Sequence, residues 1–406
     1  VRIKYSSVWP LAVTLFCACL FKVEMIFLIT LVALLLMLLS SKGRLSARIF
    51  NGKYIYYYFI AMGFILAICY APVYDYSMNH IVKDAVYLTL PLLFWLVGSN
   101  GVSGYWLREK SIQETKSYLY TTVFYVGLIY SFYDIIIVCY RVLMFGITEF
   151  SIQGLRSVIG TGTALPIICF FLSIYVSEFI NIRPVWKKVG NILFIVDALI
   201  HFSRMNILLI VVLISFSGII KKPKKMLKYG AAMLFALVVV YLVLPEFLLA
   251  FVDKILYSIT EISFSQSNWD MTSIVHNWRG YEAFCEIQKF SKLSSFEQLF
   301  GSGFGSQLEL GGYAYLVTSE NTIPFLHNGY FTILMKWGIV GVVAYIVMLI
   351  CMFRTKITYK KERNFYRAIV IIIAVDTLFV HGLFFSPAVA SLMLLNAIIY
   401  KTNRGV

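Results

Sequence analysis

The sequence predicts an all-α, polytopic membrane bundle of about twelve transmembrane helices with one large external loop. Three observations predict it. Of the 406 residues, 60% are hydrophobic and only 14% charged, with a mean hydropathy of +0.81, far from the balance of a soluble domain. Apolar runs long enough to cross about 30 Å of hydrocarbon recur from one end of the chain to the other. The runs lack the strict alternation of barrel strands, and in lipid only a helix satisfies every backbone amide within its own segment.

In order, the apolar segments fall near 8–22, 24–40, 53–73, 81–98, 118–139, 159–180, 190–203, 205–220, 229–252, 329–353, 367–381 and 385–400. The first is read as a retained span because no signal-peptide cleavage pattern precedes the second. The short segments near 190–220 are candidates to pair as one hairpin. The formal net charge of +15 does not point to nucleic acid, because the cations sit in short connections between apolar runs. Lys42, Arg44 and Arg48, then Arg108 and Lys110, then Arg183, Lys187 and Lys188, then 221-KKPKKMLK-228, Arg354 to Arg367 and the tail 401-KTNR-404 fall on alternate connections. This positive-inside pattern places both termini in the cytoplasm. The organisation expected is one membrane domain: segments one to nine over 1–252, the loop over 253–325, and the last three segments over 326–406.

A polar connection as long as 253–325 is uncommon unless it is functional or structured. Within it, 277-NWRGYEAFCEIQKF-290 has a helical amphipathic period. Trp278, Tyr281, Cys285 and Ile287 to Phe290 are expected to pack, and Glu282, Glu286 and Lys289 to face water. The next stretch, 301-GSGFG-305, lacks the Lys-Ser/Thr of a phosphate loop and reads as a turn. The seven cysteines show no metal-ligand spacing and no disulfide framework.

Cations on the external side are informative because positive-inside topology predicts few of them there. Arg156 in 153-QGLRSVIGTGT-163, Arg204 in 201-HFSRMN-206 and Arg279 in 277-NWRG-280 all fall on that side. A guanidinium fork suits a phosphate headgroup whose lipid tail stays in the bilayer; each also suits simple snorkelling to lipid phosphates. His327 is the candidate base, since imidazole exchanges protons near neutrality. Asn328 follows it, suited to fixing the ring or holding substrate, and Gly338 and Gly341 allow close helix approach behind it. His80, His201, His276 and His381 are alternative histidines, and Asp376 within an apolar run is the residue a proton-coupled transporter would use.

Taken together, His327-Asn328 ahead of Gly338 and Gly341, 203-SR-204, Arg279 in an aromatic helix running to 301-GSGFG-305, and Arg156 before 160-GTGT-163 resemble the O-antigen ligase and polymerase superfamily of bacterial envelope glycan assembly. The match in order and spacing covers roughly 150–345. The resemblance implies a GT-C-like membrane glycosyltransferase of the bacterial inner membrane with a periplasmic active site. It would use an undecaprenyl-pyrophosphate-linked oligosaccharide without nucleotide sugar, cofactor or essential metal, and would work beside a flippase and a chain-length regulator. His327 would be the catalytic base, and Arg204, Arg279 and Arg156 would bind pyrophosphate. A polymerase joining repeat units is favoured over a ligase delivering polymer to lipid A–core. A polysaccharide or lipid transporter is the reading outside the family.

Overall fold

The computed structural model describes residues 8–41, 50–103, 111–145, 164–200, 204–217, 269–316 and 321–403, with isolated positions 231, 238, 241 and 242. It is helical almost throughout. Helices α1 (Trp9–Leu20), α2 (Val23–Ser40), α3 (Lys53–Tyr74), α4 (Met78–Ser103) and α5 (Ile112–Phe145) come first. After them come α6 (Ala164–Tyr175), α7 (Pro184–Ile200) and α8 (Arg204–Ser217). Three helices, α9 (Met271–His276), α10 (Trp278–Lys292) and α11 (Ser295–Phe300), precede strands β1 (Leu308–Glu309) and β2 (Thr322–Ile323). The chain ends in α12 (Gly329–Phe353), α13 (Lys360–Phe379), α14 (Gly382–Phe385), α15 (Pro387–Ala390) and α16 (Leu392–Asn403). Five of the described helices, α2 to α5 and α12, are long and apolar enough to cross a membrane.

Three expectations need adjustment. The segment near 385–400 is broken into α14, α15 and α16, because Pro387 brings no amide to the helix and Ser386 caps a fresh start by accepting from the Val389 amide. The segment near 159–180 is described as a helix only over α6, and the chain leaves it through a 3-10 turn at Ser177–Phe179. The pair near 190–220 does not close as a hairpin; α7 and α8 each pack on α6. The segment near 229–252 lies largely outside the described residues.

The bundle has two chemically distinct ends. At one end the Lys116 ammonium lies 2.6 Å from the buried Glu362 carboxylate, which also accepts from Tyr120 and Asn403. Lys361 pairs with Glu178 on the same end, at 2.8 Å. The opposite end carries α9 to α11, the small antiparallel β1–β2 pair and the start of α12. Between the ends, Phe59, Trp337, Tyr345 and Phe384 meet edge to face at centroid separations of 5.1–6.5 Å, filling the contact of α3, α12 and α14.

α12 is the element that joins the bundle to the polar end, and it is not a regular helix. Gly338 sits at φ 62°, ψ −164°, which interrupts the ladder. The carbonyls of Met335 and Lys336 accept instead from the amides of Ser302 (3.0 Å) and Gly303 (2.9 Å). A Cβ at Gly338 would lie 2.4 Å from the carbonyl of Leu299, and one at Gly301 would lie 2.3 Å from the amide of Trp337. Gly338 therefore does permit close backbone approach, toward α11. Gly341 instead faces Trp337 of its own helix.

The stretch 301-GSGFG-305 is the turn that mends this break. Its remaining amides are also occupied: Gly301 donates to Glu297, Phe304 to the Gly63 carbonyl, and Gly305 to Asp84 at 2.8 Å. With all five amides committed to protein acceptors, the turn has no nest to offer a phosphate. Asp84 also pairs with Lys336 at 2.6 Å, both fully buried, and Lys336 donates to the Ser306 carbonyl at 3.0 Å.

Gly338→Ala is expected to lower the thermal midpoint of the detergent-solubilised protein, by the equivalent of about 1–3 kcal/mol, since it adds left-handed strain to a backbone clash. Gly341→Ala, which meets only the side chain of its own helix, should cost less.

Candidate active site

α10 begins where the Asn277 side chain accepts from the Gly280 amide at 3.0 Å. That cap orients the first turn, so Trp278 and Glu282, four residues apart, lie on one face. Glu282 does not face water. It is 1% exposed, and its carboxylate accepts from the Trp278 indole (2.5 Å) and the His327 backbone amide (2.8 Å). The His327 ring completes the cluster, with Nδ1 2.9 and 3.1 Å from the two carboxylate oxygens.

A buried carboxylate here is tolerable because N–H donors surround it. Its acceptor character makes Nδ1 of His327 the donor, so in the neutral form of the ring Nε2 carries the lone pair. The His327 side chain is 36% exposed, so the ring spans from a dry anchor to an accessible edge. The arrangement has the form of an orienting carboxylate behind a base. Asn328 does not fix this ring. Its side chain caps α12 by accepting from the Tyr330 amide at 3.0 Å.

The other members come from the end of α13 and the start of α14. The His381 ring lies 5.2 Å from that of His327, tilted by 35°, with Nδ1 2.9 Å from the Leu326 carbonyl. Gly329 admits this contact, since a Cβ there would meet the His381 carbonyl at 2.6 Å. Asp376, nearly buried, accepts from the Gly382 amide at 3.1 Å. Arg279 is half-buried, and its charge acts on both Asp376 and His381. Arg279, His327, His381 and Asp376 thus meet at one end of the bundle, with Glu282 as the group the sequence pattern had assigned to solvent.

Arg204 opens α8, which runs along α13 and ends where Asn364 donates to the Phe216 carbonyl at 3.2 Å. The same length of helix, about 18 Å at 1.5 Å per residue, separates Phe216 from Arg204 and Asn364 from Asp376. Antiparallel packing therefore brings the backbone of Arg204 to the level of Asp376. The side chain of Arg204, and Arg156 altogether, lie outside the described residues, as do His201 and the side chain of His276. His80 is elsewhere, bonded to Gln307. Among the described residues no group of three or more His, Cys, Asp or Glu side chains is arranged to hold a metal ion.

One turn beyond Glu282, Glu286 is also buried rather than solvated, and neither of its carboxylate oxygens has a hydrogen-bond partner among the described residues. Burial pushes its carboxyl up to about 8, against weaker opposition from the Lys289 and Lys336 charges. The amphipathic pattern misplaced this face because α10 is covered on two sides: Tyr281 packs with Trp269 and Tyr313, while Glu282 reaches His327 on α12's threshold. Ile287, expected to pack, is exposed. The available signal for Glu282 was its position one turn after the Trp-Arg pair, a carboxylate three residues from the arginine.

A raised carboxyl makes stability pH-dependent with a definite sign. Above about pH 4.5 the unfolded Glu286 ionises while the folded one keeps its proton up to about pH 8, so the unfolded state binds fewer protons and stability falls as pH rises. Thermal midpoints measured at pH 5.5 and pH 8 should therefore decline in the parent protein, and Glu286→Gln should flatten that decline.

Residues 189–346 match the family model described as O-Antigen ligase, and residues 292–402 match the one described as WcaD colanic acid polymerase. No curated protein matches the chain. The first match holds Arg204, Arg279, Glu282 and His327; the second overlaps it across α11, the glycine turn and α12, and continues through Asp376 and His381. Over these two stretches the chain is similar to the O-antigen ligase and polymerase superfamily.

Proposed function

We propose that the protein transfers a glycan from undecaprenyl pyrophosphate to a sugar hydroxyl at the periplasmic face, acting as a surface-polysaccharide polymerase. The observation that carries this reading is the His327–Glu282 pair beside Arg279, on the end of the bundle away from the lysine-rich connections. Positive-inside topology makes that end periplasmic and puts both termini in the cytoplasm. About twelve spans, nine before the 253–325 loop and three after it, fit the same assignment.

In the reaction, an acceptor hydroxyl attacks the anomeric carbon as the bond to the pyrophosphate oxygen breaks. Nε2 of His327 takes the hydroxyl proton while Glu282 holds Nδ1 and offsets the charge that forms on the ring. The leaving group is undecaprenyl pyrophosphate. Arg279, joined by Arg204 and Arg156, stabilises its growing negative charge. Attack opposite the departing group inverts the anomeric centre. The transfer as drawn needs no metal, and a flippase supplying the donor and a chain-length regulator are the partners it implies. The match to the polymerase description over residues 292–402 favours a second lipid-linked repeat unit as acceptor. The match to the ligase description keeps delivery of polymer to lipid A–core as the second reading.

An assay with purified protein and a polyprenyl-pyrophosphate-linked oligosaccharide tests this. His327→Ala should lose about 10²–10⁴-fold in turnover, the usual scale of general-base catalysis. Glu282→Gln should also lose turnover, because an amide cannot accept from all three donors. Arg279→Lys should retain less activity than a simple charge requirement predicts, since the planar fork is lost. Near-parental turnover in His327→Ala would remove the histidine from the mechanism. Formation of ligated polymer on lipid A–core, without lengthening of carrier-linked chains, would select the ligase reading.

A further inference from the structure

On the face of α10 next to the one that carries Glu282 lies a cavity of about 740 Å³. It is walled by the turn between α3 and α4, by the outer stripe of α10, and by β1 and the residues around it. Its volume falls within the roughly 300–1,000 Å³ of clefts that take small organic ligands. No residue of the proposed catalytic group lines it, yet two of its walls lead directly to that group. Tyr281 in its lining precedes Glu282, and Thr322 in its lining opens the short β2 segment that runs on to His327.

The chemistry of the lining is specific in kind. Tyr74 and Tyr76 stack on one another at 5.8 Å with planes 21° apart, and Phe284 faces the same space from α10. Beside these rings stand Gln288, Lys292 and Glu309, all exposed, and none makes a side-chain hydrogen bond among the described residues. They offer an amide, an ammonium and a carboxylate to a ligand without breaking any internal bond. The structural polar groups of the same cleft are by contrast spent: Lys289 donates to the Gln307 carbonyl at 2.6 Å, and the Gln307 side chain is held between His80 and Thr322.

Aromatic faces beside uncommitted donors and acceptors of both kinds suit a ligand that is apolar on its ring faces and polyhydroxylated on its edges. That is the chemistry of a sugar. It does not suit a lipid tail, which would leave these polar groups facing hydrocarbon, nor a bare phosphate, which would meet Glu309. We propose that this cleft is a glycan-binding subsite, holding sugar rings of the lipid-linked chain beyond the residue that reacts. The inference rests on the glycosyl-transfer reading for its ligand class, but it concerns a site distinct from the reacting centre. A subsite one helix face away from the base would hold the chain in register while its reactive end lies at His327.

The test uses the full-length protein in nanodiscs and, as probe, the host cell's own repeat-unit oligosaccharide released from its carrier by mild acid. Binding is followed by saturation-transfer NMR, and transfer is assayed separately with the carrier-linked form. Gln288→Ala with Lys292→Ala, both surface changes, should weaken oligosaccharide binding by about tenfold or more, the expected effect of two lost hydrogen bonds. His327→Ala should bind the released oligosaccharide as the parent does. Parental affinity in the double variant, or no saturable binding by the parent, overturns the subsite whatever the transfer assay shows. Retained transfer in His327→Ala with binding lost in the double variant would refute the proposed base and leave the subsite standing.

Discussion

The break in α12 at Gly338 is the constraint around which the polar end of the molecule is built. A helix that loses two amide donors inside a membrane protein must find others, because an unpaired carbonyl in such surroundings costs free energy that nothing local returns. Here the replacements are the amides of Ser302 and Gly303. That choice ties the glycine turn, and with it α11 and the end of α10, directly onto α12. His327 precedes α12 and Glu282 belongs to α10, so the separation of the two side chains depends on this backbone splice. The Asp84–Lys336 pair adds a second tie between α4, the turn and α12. A buried pair of this kind contributes little net stability but penalises any misdocked arrangement that leaves one partner alone.

The site that results is graded from dry to wet. Glu282 is enclosed, His327 is partly exposed, and Arg279 stands half-buried where its field reaches Asp376 and His381. An imidazole anchored at Nδ1 loses rotational freedom before any substrate arrives, so its other nitrogen has one direction in which to accept a proton.

Much of the fold was legible because the bilayer imposes length and composition on each span. The edges of α3 and α12 agree with the apolar runs to within a residue or so, and His327 and Arg279 were visible as polar exceptions in their segments. What failed did so where one periodicity had to describe two environments. α10 was read with a single wet face, yet it is packed by aromatic loop residues on one side and by the approach to α12 on the other, so Glu282 and Glu286 are inside. The kink at Gly338 was invisible as well, since glycine in an apolar run equally signals simple close packing. The last span looked continuous because hydropathy hardly registers one proline, while the hydrogen-bond ladder cannot ignore it.

Two of these failures share a cause, and it bears on how such a protein is assembled. Each involves a partner distant in sequence: Glu282 with His327, and the broken α12 with the glycine turn. Hydropathy and helical period are local quantities and carry no information on such pairings. The membrane makes the pairings compulsory, because buried polar groups there have few other options. The polar groups of the proposed site and those of the fold consequently draw on the same partners. Removing Glu282 would unseat Trp278 and the His327 backbone together with the imidazole, so the proposed turnover and the conformational stability are coupled at this position by the geometry itself.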